Sequence, residues 1–202
     1  MMRKPDLCQP VSVSSSSGYF AGLQEVMGRI PHDLVDRIAA TIWQAHETGR
    51  TIFLFGNGGS ASLASHFACD LAKGTIADGR RRLRAIALTD NIPMMTAWAN
   101  DCDYKEIFAE QLRGLVQKDD VVLAISGSGN SLNVVRGLEV GREAGATLIA
   151  MTGYEGGQVK DLCDVCLIVP SNDMQHIEDA HLSVAHAIYK LIRHRMSELQ
   201  TG

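Results

Sequence analysis

The sequence of 202 residues has no apolar run close to the about 18 residues that a membrane-spanning helix needs. Its basic start, Met1–Lys4, is followed by Pro5 and Asp6 rather than by an apolar stretch, so it lacks the pattern of a secretory signal. Excess positive charge is absent too, because 19 Lys and Arg residues stand against 23 Asp and Glu, a net charge of −4. These absences predict a protein with neither a membrane nor a nucleic acid as its partner.

The sequence has few cysteines, and their number, five, is odd. They are scattered along the chain at Cys8, Cys69, Cys102, Cys163 and Cys166. Such a set in a chain of this size is typical of reduced thiols rather than of a disulfide framework, so we expect a cytoplasmic protein. Cys163 and Cys166 have the C-x-x-C spacing of redox motifs. They flank the start of an apolar segment instead of opening a helix, and we interpret them as core thiols.

The hydrophobic content of 46% and the charged content of 21% are ordinary for a globular protein of one domain. Residues 1–17, with two prolines and a serine run, are predicted to form a flexible tail, and residues 18–202 a single domain. From Tyr19 the apolar residues follow helical spacing as far as Gly49, with Pro31 between two sets. This pattern predicts an amino-terminal helical arm.

Five short, almost wholly apolar segments then alternate with helical patterns, as expected for strands that are buried on both faces of a parallel sheet. The fold class predicted is therefore α/β, a three-layer sandwich with a five-stranded parallel sheet and the added helical arm. The predicted strands are residues 51–55, 84–89, 121–125, 147–151 and 165–169.

Two loops rich in glycine and serine, Gly56–Ala61 and Ser126–Ser131, follow the first and third predicted strands. Glycines allow close backbone approach, and helix amino termini and hydroxyls bind phosphate oxygens. A dinucleotide fingerprint would need an acidic residue at the end of the second strand, where neither Asp78 nor Asp90 has the right position. The other alternative is a pair of ordinary turns with Ser131 as a helix cap. Because both loops fall at the same edge of the sheet, the sequence favours a phosphate site.

These loops belong to a longer series of motifs that resembles the sugar isomerase (SIS) domain family and, within it, the phosphoheptose isomerases. The resemblance implies interconversion of sedoheptulose 7-phosphate and D-glycero-D-manno-heptose 7-phosphate, by acid–base enediol chemistry, for heptose biosynthesis. It also implies a homotetramer with active sites at subunit interfaces and, as in several members, zinc. The motifs are Gly56–Ala61, His66–Ala68, Asp70–Leu71, Ala99–Asp101, Ile125–Ser131, Leu148–Gly153, Gly156–Gly157 and the helix containing His181–His186.

The resemblance assigns the catalytic base to Asp70, where the family has Glu, and the acid to His186. His66, four residues before Asp70, falls on the same helix face. Glu178 stands where the family has Gln, so His66, Asp70, Glu178 and His186 become the expected ligands of one zinc ion per subunit. Asp70 cannot be both a fully engaged ligand and a free base, and the metal could instead polarise the carbonyl as a Lewis acid. This choice stays open at the level of sequence.

The resemblance also implies contacts to the phosphorylated sugar. Three departures concern the substrate, since Gly74, Gly127 and Gln175 stand where the family has Arg, Thr and Asp. Another phosphorylated ketose or aldose therefore stays open as the substrate. The implied substrate and phosphate contacts are Asn57, Gly58, Gly59, Ser60, Asp101, Ser126, Gly127, Ser128, Ser131 and Glu178.

Plainer interpretations exist for each of these residues. His66 and Asp70 could be an ion pair on an exposed helix, His186 a core histidine and Glu178 a solvated charge. His181 is left out of the site, because it lies off the face that carries Glu178 and His186. The functional alternative is a non-catalytic SIS module that binds a phosphosugar or the replication initiator. The carboxylate at position 70 and the histidine at position 186 favour an enzyme.

Overall fold

The computed structural model describes residues 14–198, and this part of the chain opens with two helices. Helix α1, Ser16–Gly28, begins where the Ser15 hydroxyl accepts the N–H of Gly18 at 3.1 Å. Helix α2, His32–Glu47, follows Pro31, which stands at the N-cap. The predicted helical arm is therefore present.

The predicted tail, residues 1–17, lies mostly outside the described residues. Ser16 and Ser17, its last two residues, belong to α1, so helical structure begins two residues before the predicted boundary at residue 18. The domain division otherwise stays a prediction.

The five predicted strands form one parallel sheet, which confirms the predicted fold class. The strand order is β2-β1-β3-β4-β5, so the connections change direction between β1 and β3. Ligands in open α/β sheets bind beyond the carboxyl ends of the strands at such a switch point. The strands are β1 Thr51–Gly56, β2 Arg84–Ala87, β3 Val121–Ser126, β4 Thr147–Thr152 and β5 Val165–Ile168.

Helices cover both faces of this sheet. Helices α1, α2, α3 and α7 pack on one face, and α5 and α6 pack on the other. Short 3-10 turns lie at Leu88–Asp90, Tyr104–Glu106 and Gln158–Asp161. The remaining helices are α3 Gly59–Lys73, α4 Ile92–Asp101, α5 Ala109–Arg113, α6 Leu132–Glu143 and α7 Met174–Glu198.

Alternate residues of β1 show how the core divides. Ile52 and Leu54 are fully buried against the α2, α3 and α7 side, while Phe53 and Phe55 face α5 and α6. Phe55 stacks on Phe108 with ring centroids 4.8 Å apart. Burial of each such side chain contributes about 1.5–3 kcal/mol to the free energy of folding. The central strands are therefore held from both sides, and their carboxyl ends are rigid supports for the loops that follow.

The edge strand β2 is shorter than predicted. It ends at Ala87, and Leu88–Asp90 turns into a 3-10 segment rather than continuing the strand to Thr89. Leu88 is 2% exposed, so the chain buries this side chain by turning inward. Within the described residues, no helix combines the length and the apolar character needed to cross a membrane.

Candidate active site

The loop after β1 brings an unblocked helix terminus to the carboxyl edge of the sheet. Gly58 is the N-cap of α3 with a φ of 57°, a left-handed conformation that suits glycine, and it provides no side-chain cap. Gly58 and Gly59 are exposed, while Ser60 is buried. The first N–H groups of α3, together with the helix dipole, therefore favour a negatively charged group at this point.

The loop after β3 is held in shape by its own hydroxyls. Ser126 Oγ accepts the N–H of Gly129 at 3.2 Å, and Ser128 Oγ accepts the N–H of Asn130 at 3.3 Å. Ser131 is the N-cap of α6, yet its side chain makes no cap hydrogen bond. The alternative in which Ser131 serves as a helix cap thus lacks its defining contact.

A third segment closes on this loop through backbone alone. The Gly129 carbonyl accepts the N–H of Val159 at 3.1 Å. A Cβ at Gly129 would clash with the carbonyl of Gly156, and a Cβ at Gly157 would lie 2.5 Å from the Ser128 carbonyl oxygen. The φ angles of Gly129, Gly156 and Gly157 are all positive. These main-chain contacts between Gly129 and Gly156–Gly157, which we call the backbone seam, fix the outer side of the loop after β3.

The two glycine-rich loops are also joined by side chains. Asn57 Nδ2 donates to Asn133 Oδ1 at 2.9 Å, and Asn133 Nδ2 donates back to Asn57 Oδ1 at 2.8 Å. The Tyr104 hydroxyl donates to the same Asn57 Oδ1 at 3.1 Å. Asn57 was predicted to contact substrate, and in the structure its amide connects the first loop to α6.

His66 and Asp70 on α3 meet His186 on α7. The His66 and His186 Nε2 atoms are 3.2 Å apart, and Asp70 Oδ2 lies 3.3 Å from His66 Nε2 and 3.9 Å from His186 Nε2. Both histidine side chains are about half exposed, and that of Asp70 is one-quarter exposed. The structure thus unites the predicted acid, the predicted base and the first predicted metal ligand.

This cluster fits a divalent metal ion. One ligand atom from each of His66, Asp70 and His186 lies within 4.8 Å of the other two. Two imidazole nitrogens and one carboxylate oxygen form a donor set that zinc takes at catalytic sites, where a fourth position stays open. The arrangement also differs from a plain helix-surface ion pair, because His186 comes from another helix.

Glu178 is not part of this three-residue group. Its carboxylate lies beside Gly59 at the amino end of α3, where both of its oxygens come within 2.9 Å of the place that a Cβ on Gly59 would take. The carboxylate therefore faces the positive end of the α3 dipole. Glu178, His66 and Ser60 line the same cleft of about 280 Å³, so the structure brings together three of the four predicted ligands and places the fourth along the cleft.

His181, which the sequence left outside the site, lines the buried side of that cleft. It is 1% exposed, its Nε2 lies 3.0 Å from the Thr152 carbonyl oxygen, and its Nδ1 is buried without a partner. Burial lowers the pKa of His181 from 6.5 to about 4, against the smaller opposite effect of the Thr152 carbonyl. The ring is therefore neutral near pH 7 and donates to that carbonyl.

Two predicted substrate contacts are placed differently from the rest. Asp101, at the exposed end of α4, accepts from Asn100 Nδ2 at 2.7 Å, and its described contacts reach neither loop. Gly127 is buried, and a Cβ there would lie 2.5 Å from Met174 Sδ. The thioether of Met174 thus takes up the space that a larger residue at position 127 would need.

Three contacts around the site have no signal in the sequence. Asn133 and Tyr104 are two, because a reciprocal amide pair between distant segments has no spacing pattern. The third is Tyr19, whose hydroxyl donates to Asp179 Oδ2 at 2.5 Å at the rim of the cleft. Hydrogen bonding to that carboxylate, followed by burial, raises the pKa of Tyr19 to about 12. This contact ties the helical arm to α7.

The parallel sheet, the two glycine-rich loops at its carboxyl edge and the His–Asp–His cluster together define an α/β domain with a candidate site for an anionic ligand. Residues 18–153 match the SIS domain family, and the chain belongs to that family.

Particular relatives narrow the comparison. The chain is 39% identical to the phosphoheptose isomerase of Aliarcobacter butzleri, with 88% of this chain and 95% of the relative aligned. It is 42% identical to the phosphoheptose isomerase of Mycobacterium tuberculosis, over 80% of each chain. Among solved structures, phosphoheptose isomerase GmhA from Neisseria gonorrhoeae superposes with a TM-score of 0.81 and 31% identity, covering 87% of this chain and 95% of the other.

Proposed function

We propose that this protein is an aldose–ketose isomerase that acts on a phosphorylated sugar, most specifically on sedoheptulose 7-phosphate to give D-glycero-D-manno-heptose 7-phosphate. The observation that carries the proposal is the His66–Asp70–His186 cluster beside two glycine-rich loops at one edge of the sheet. Relatives named phosphoheptose isomerase, at about 40% identity over most of the chain, support the same reaction.

The chemistry needs one proton moved between adjacent carbons and others moved between their oxygens. A carboxylate base and an imidazole acid can share this work when both lie within reach of the same two carbons. Asp70 Oδ2 and His186 Nε2 are 3.9 Å apart, which is close enough for both to face one small substrate. Asp70 would take the proton from carbon, and His186 would donate to and accept from the sugar oxygens.

The phosphate group would be bound by the loops rather than by a lysine or a metal. Ser126, Ser128 and Ser131 provide hydroxyls, and the amino end of α6 faces the same loop. Gly58 and Gly59 would complete this side of the site with backbone N–H groups, and Ser60 would contribute its hydroxyl, because its own N–H donates to the Asn57 main-chain carbonyl at 3.0 Å. Because Glu178 already faces the amino end of α3, the negatively charged phosphate is expected at the loop after β3.

Zinc is the metal that this donor set would hold, one per subunit, on His66, Asp70 and His186. The carboxylate of Glu178, the fourth ligand predicted from the sequence, lies farther along the cleft at the amino end of α3. When bound there, zinc would polarise the substrate carbonyl and so favour enediol formation. The protein's own contribution is to hold the two imidazoles and the carboxylate together. Whether Asp70 binds metal or removes the proton is the choice that the experiment below addresses.

The remaining expectations concern assembly and location. We propose a homotetramer, supported by an apolar groove of about 590 Å³ between the helical arm and α7, lined by residues such as Met27, Ile30, Val184 and Leu191. Cytoplasmic location is supported by free thiols at Cys69, Cys102, Cys163 and Cys166. No nucleic-acid or membrane partner is proposed.

The test is a proton-NMR assay with sedoheptulose 7-phosphate in D₂O, run on metal-stripped protein and on protein with added zinc. Formation of the heptose 7-phosphate with deuterium at the transferred position supports the isomerase. Higher turnover with zinc supports a catalytic metal, whereas lower turnover supports Asp70 as a free base that the metal occupies. No product from folded protein in either sample favours another phosphosugar and, failing that, a non-catalytic SIS module.

A further inference from the structure

The two glycine-rich loops have to face one ligand at the same time, yet they belong to segments 76 residues apart. Three side chains connect them, and we call Asn57, Asn133 and Tyr104 the loop clasp. We propose that Asn133 and Tyr104 act as positioning residues, which hold the first loop against the second through Asn57 and so fix the site for the phosphate of the sugar. This inference rests on the proposed function.

The geometry of the clasp is that of a paired amide. Asn57 and Asn133 exchange hydrogen bonds of 2.9 and 2.8 Å, so each amide satisfies the other. Asn133 is 3% exposed, and an amide left unpaired at that depth is destabilising. The paired amides therefore favour one fixed distance between the end of β1 and the start of α6.

Asn133 is well suited to transmit this restraint. It lies two residues after Ser131, in the first turn of α6, and its Oδ1 also accepts the N–H of Val134 at 3.0 Å. The side chain of Ser131 makes no cap hydrogen bond, whereas the side chain of Asn133 joins this end of α6 to the first loop. Movement of Asn133 would move the helix terminus and the serine hydroxyls together.

Tyr104 closes the clasp from outside. Its side chain comes from the 3-10 turn after α4 and is 57% exposed, and its hydroxyl reaches Asn57 Oδ1 at 3.1 Å. The side-chain oxygen of Asn57, Oδ1, thus accepts two hydrogen bonds, one from Tyr104 and one from Asn133. The Asn57 amide is committed to the protein, so it contributes to ligand binding through the position of Gly58 and Gly59.

The experiment compares Asn133→Ser with Asn91→Ser. Both replace an asparagine in the first turn of a helix or at its N-cap by a small neutral residue suited to helix starts, but Asn91 caps α4 outside the loops. Isothermal titration calorimetry with inorganic phosphate measures Kd without turnover. We expect Asn133→Ser to raise the Kd about tenfold, Tyr104→Phe about threefold, and Asn91→Ser to leave it unchanged.

Kinetics supply the second readout. In Asn133→Ser we expect the KM for sedoheptulose 7-phosphate to rise about tenfold with kcat within about twofold, because only binding geometry is altered. A purely structural role would reduce kcat with the folded fraction and leave the phosphate Kd of folded protein unchanged, and that result overturns the proposal. Unchanged phosphate Kd in the exposed variant Tyr104→Phe, or equal weakening in Asn91→Ser, also overturns it.

Failure of the isomerase assignment has a different signature. A wild-type protein that binds inorganic phosphate but does not convert sedoheptulose 7-phosphate would refute that substrate, while the phosphate Kd values of the variants would still decide the clasp. A wild-type protein that binds no phosphate would refute the clasp's role as well.

Discussion

Two histidines lie five residues apart on α7 and have opposite surroundings. His181 is buried against the end of β4, where its Nε2 meets the Thr152 carbonyl. His186 is about half exposed and faces His66 and Asp70 across the gap to α3. The same helix therefore carries a buried histidine, His181, that belongs to the core, and an exposed histidine, His186, that can contact a ligand.

Burial thus gives the same residue type two different roles along a single helix. The buried His181 ring, with a pKa of about 4, carries no positive charge near pH 7, whereas the half-exposed His186 ring is accessible to a substrate.

The largest effect is expected at the exposed histidine. His186→Ala should lower kcat for sedoheptulose 7-phosphate by roughly 10²–10⁴-fold, since an acid–base group at the reacting oxygens is lost. Steady-state kinetics measure the effect, and phosphate binding should survive. His194→Ala, an exposed histidine farther along α7 that pairs with Glu198, is the matched control. Full activity in His186→Ala would show that the acid is elsewhere.

The carboxylate partner is expected to matter almost as much. Asp70→Asn keeps the side-chain volume but removes the negative charge, and should lower kcat by roughly 10²-fold whether Asp70 is the base or a metal ligand. Zinc titration separates these roles, because a ligand role also predicts weaker zinc binding, whereas a pure base role predicts unchanged zinc binding. Asp36→Asn, on α2 in a groove that also contains His194, controls for loss of one negative charge.

The buried histidine should control stability rather than turnover. Because the folded pKa of His181 is about 4 and the ordinary value is 6.5, the unfolded chain binds more protons between these values. The stabilisation is thus present above pH 6.5 and decreases by about 3 kcal/mol as the pH falls to 4.

Urea unfolding at pH 7, 5.5 and 4.5, at one fixed protein concentration, measures this dependence. His181→Gln should be less stable at pH 7 and should lose less stability on acidification than the wild type. Parallel pH profiles for wild type and variant would contradict a neutral, buried His181.

The smallest effect is expected at Glu178, which lines the same cleft as His181. Glu178→Gln removes a charge from the amino end of α3 and should reduce stability by about 0.3–1 kcal/mol. It should also lower the KM of the phosphorylated sugar a few-fold, because one repulsive charge leaves the cleft. Differential scanning fluorimetry and initial rates measure the two effects. A higher KM would indicate that the carboxylate itself binds substrate.

Short-range features of this chain could be predicted from the sequence. Strand positions follow from apolar runs such as Thr51–Phe55, and the His66–Asp70 pair follows from helical spacing. The end of β2 was missed by two residues, because burial of Leu88 in a turn leaves the same apolar pattern as a strand. These features depend on neighbours in the sequence, where periodicity contains the information.

Long-range contacts could not be derived in this way. His186 meets His66 across 120 residues of sequence, and only the family resemblance suggested that meeting. Glu178 was expected with the metal ligands, but the crossing of α7 over α3 puts its carboxylate at the amino end of that helix. Spacing along one helix does not determine which end of another helix it will face.

The backbone seam between Gly129 and Gly156–Gly157 has a consequence for how this protein can change over time. At Gly129 and Gly157 larger side chains are excluded by main-chain atoms, which no substitution elsewhere can remove, and at Gly156 they are disfavoured by a φ of 86°. Residues around the cleft can therefore be exchanged with less damage to the loop than these three glycines. Random variant libraries aimed at new substrates would lose little by leaving those three codons alone.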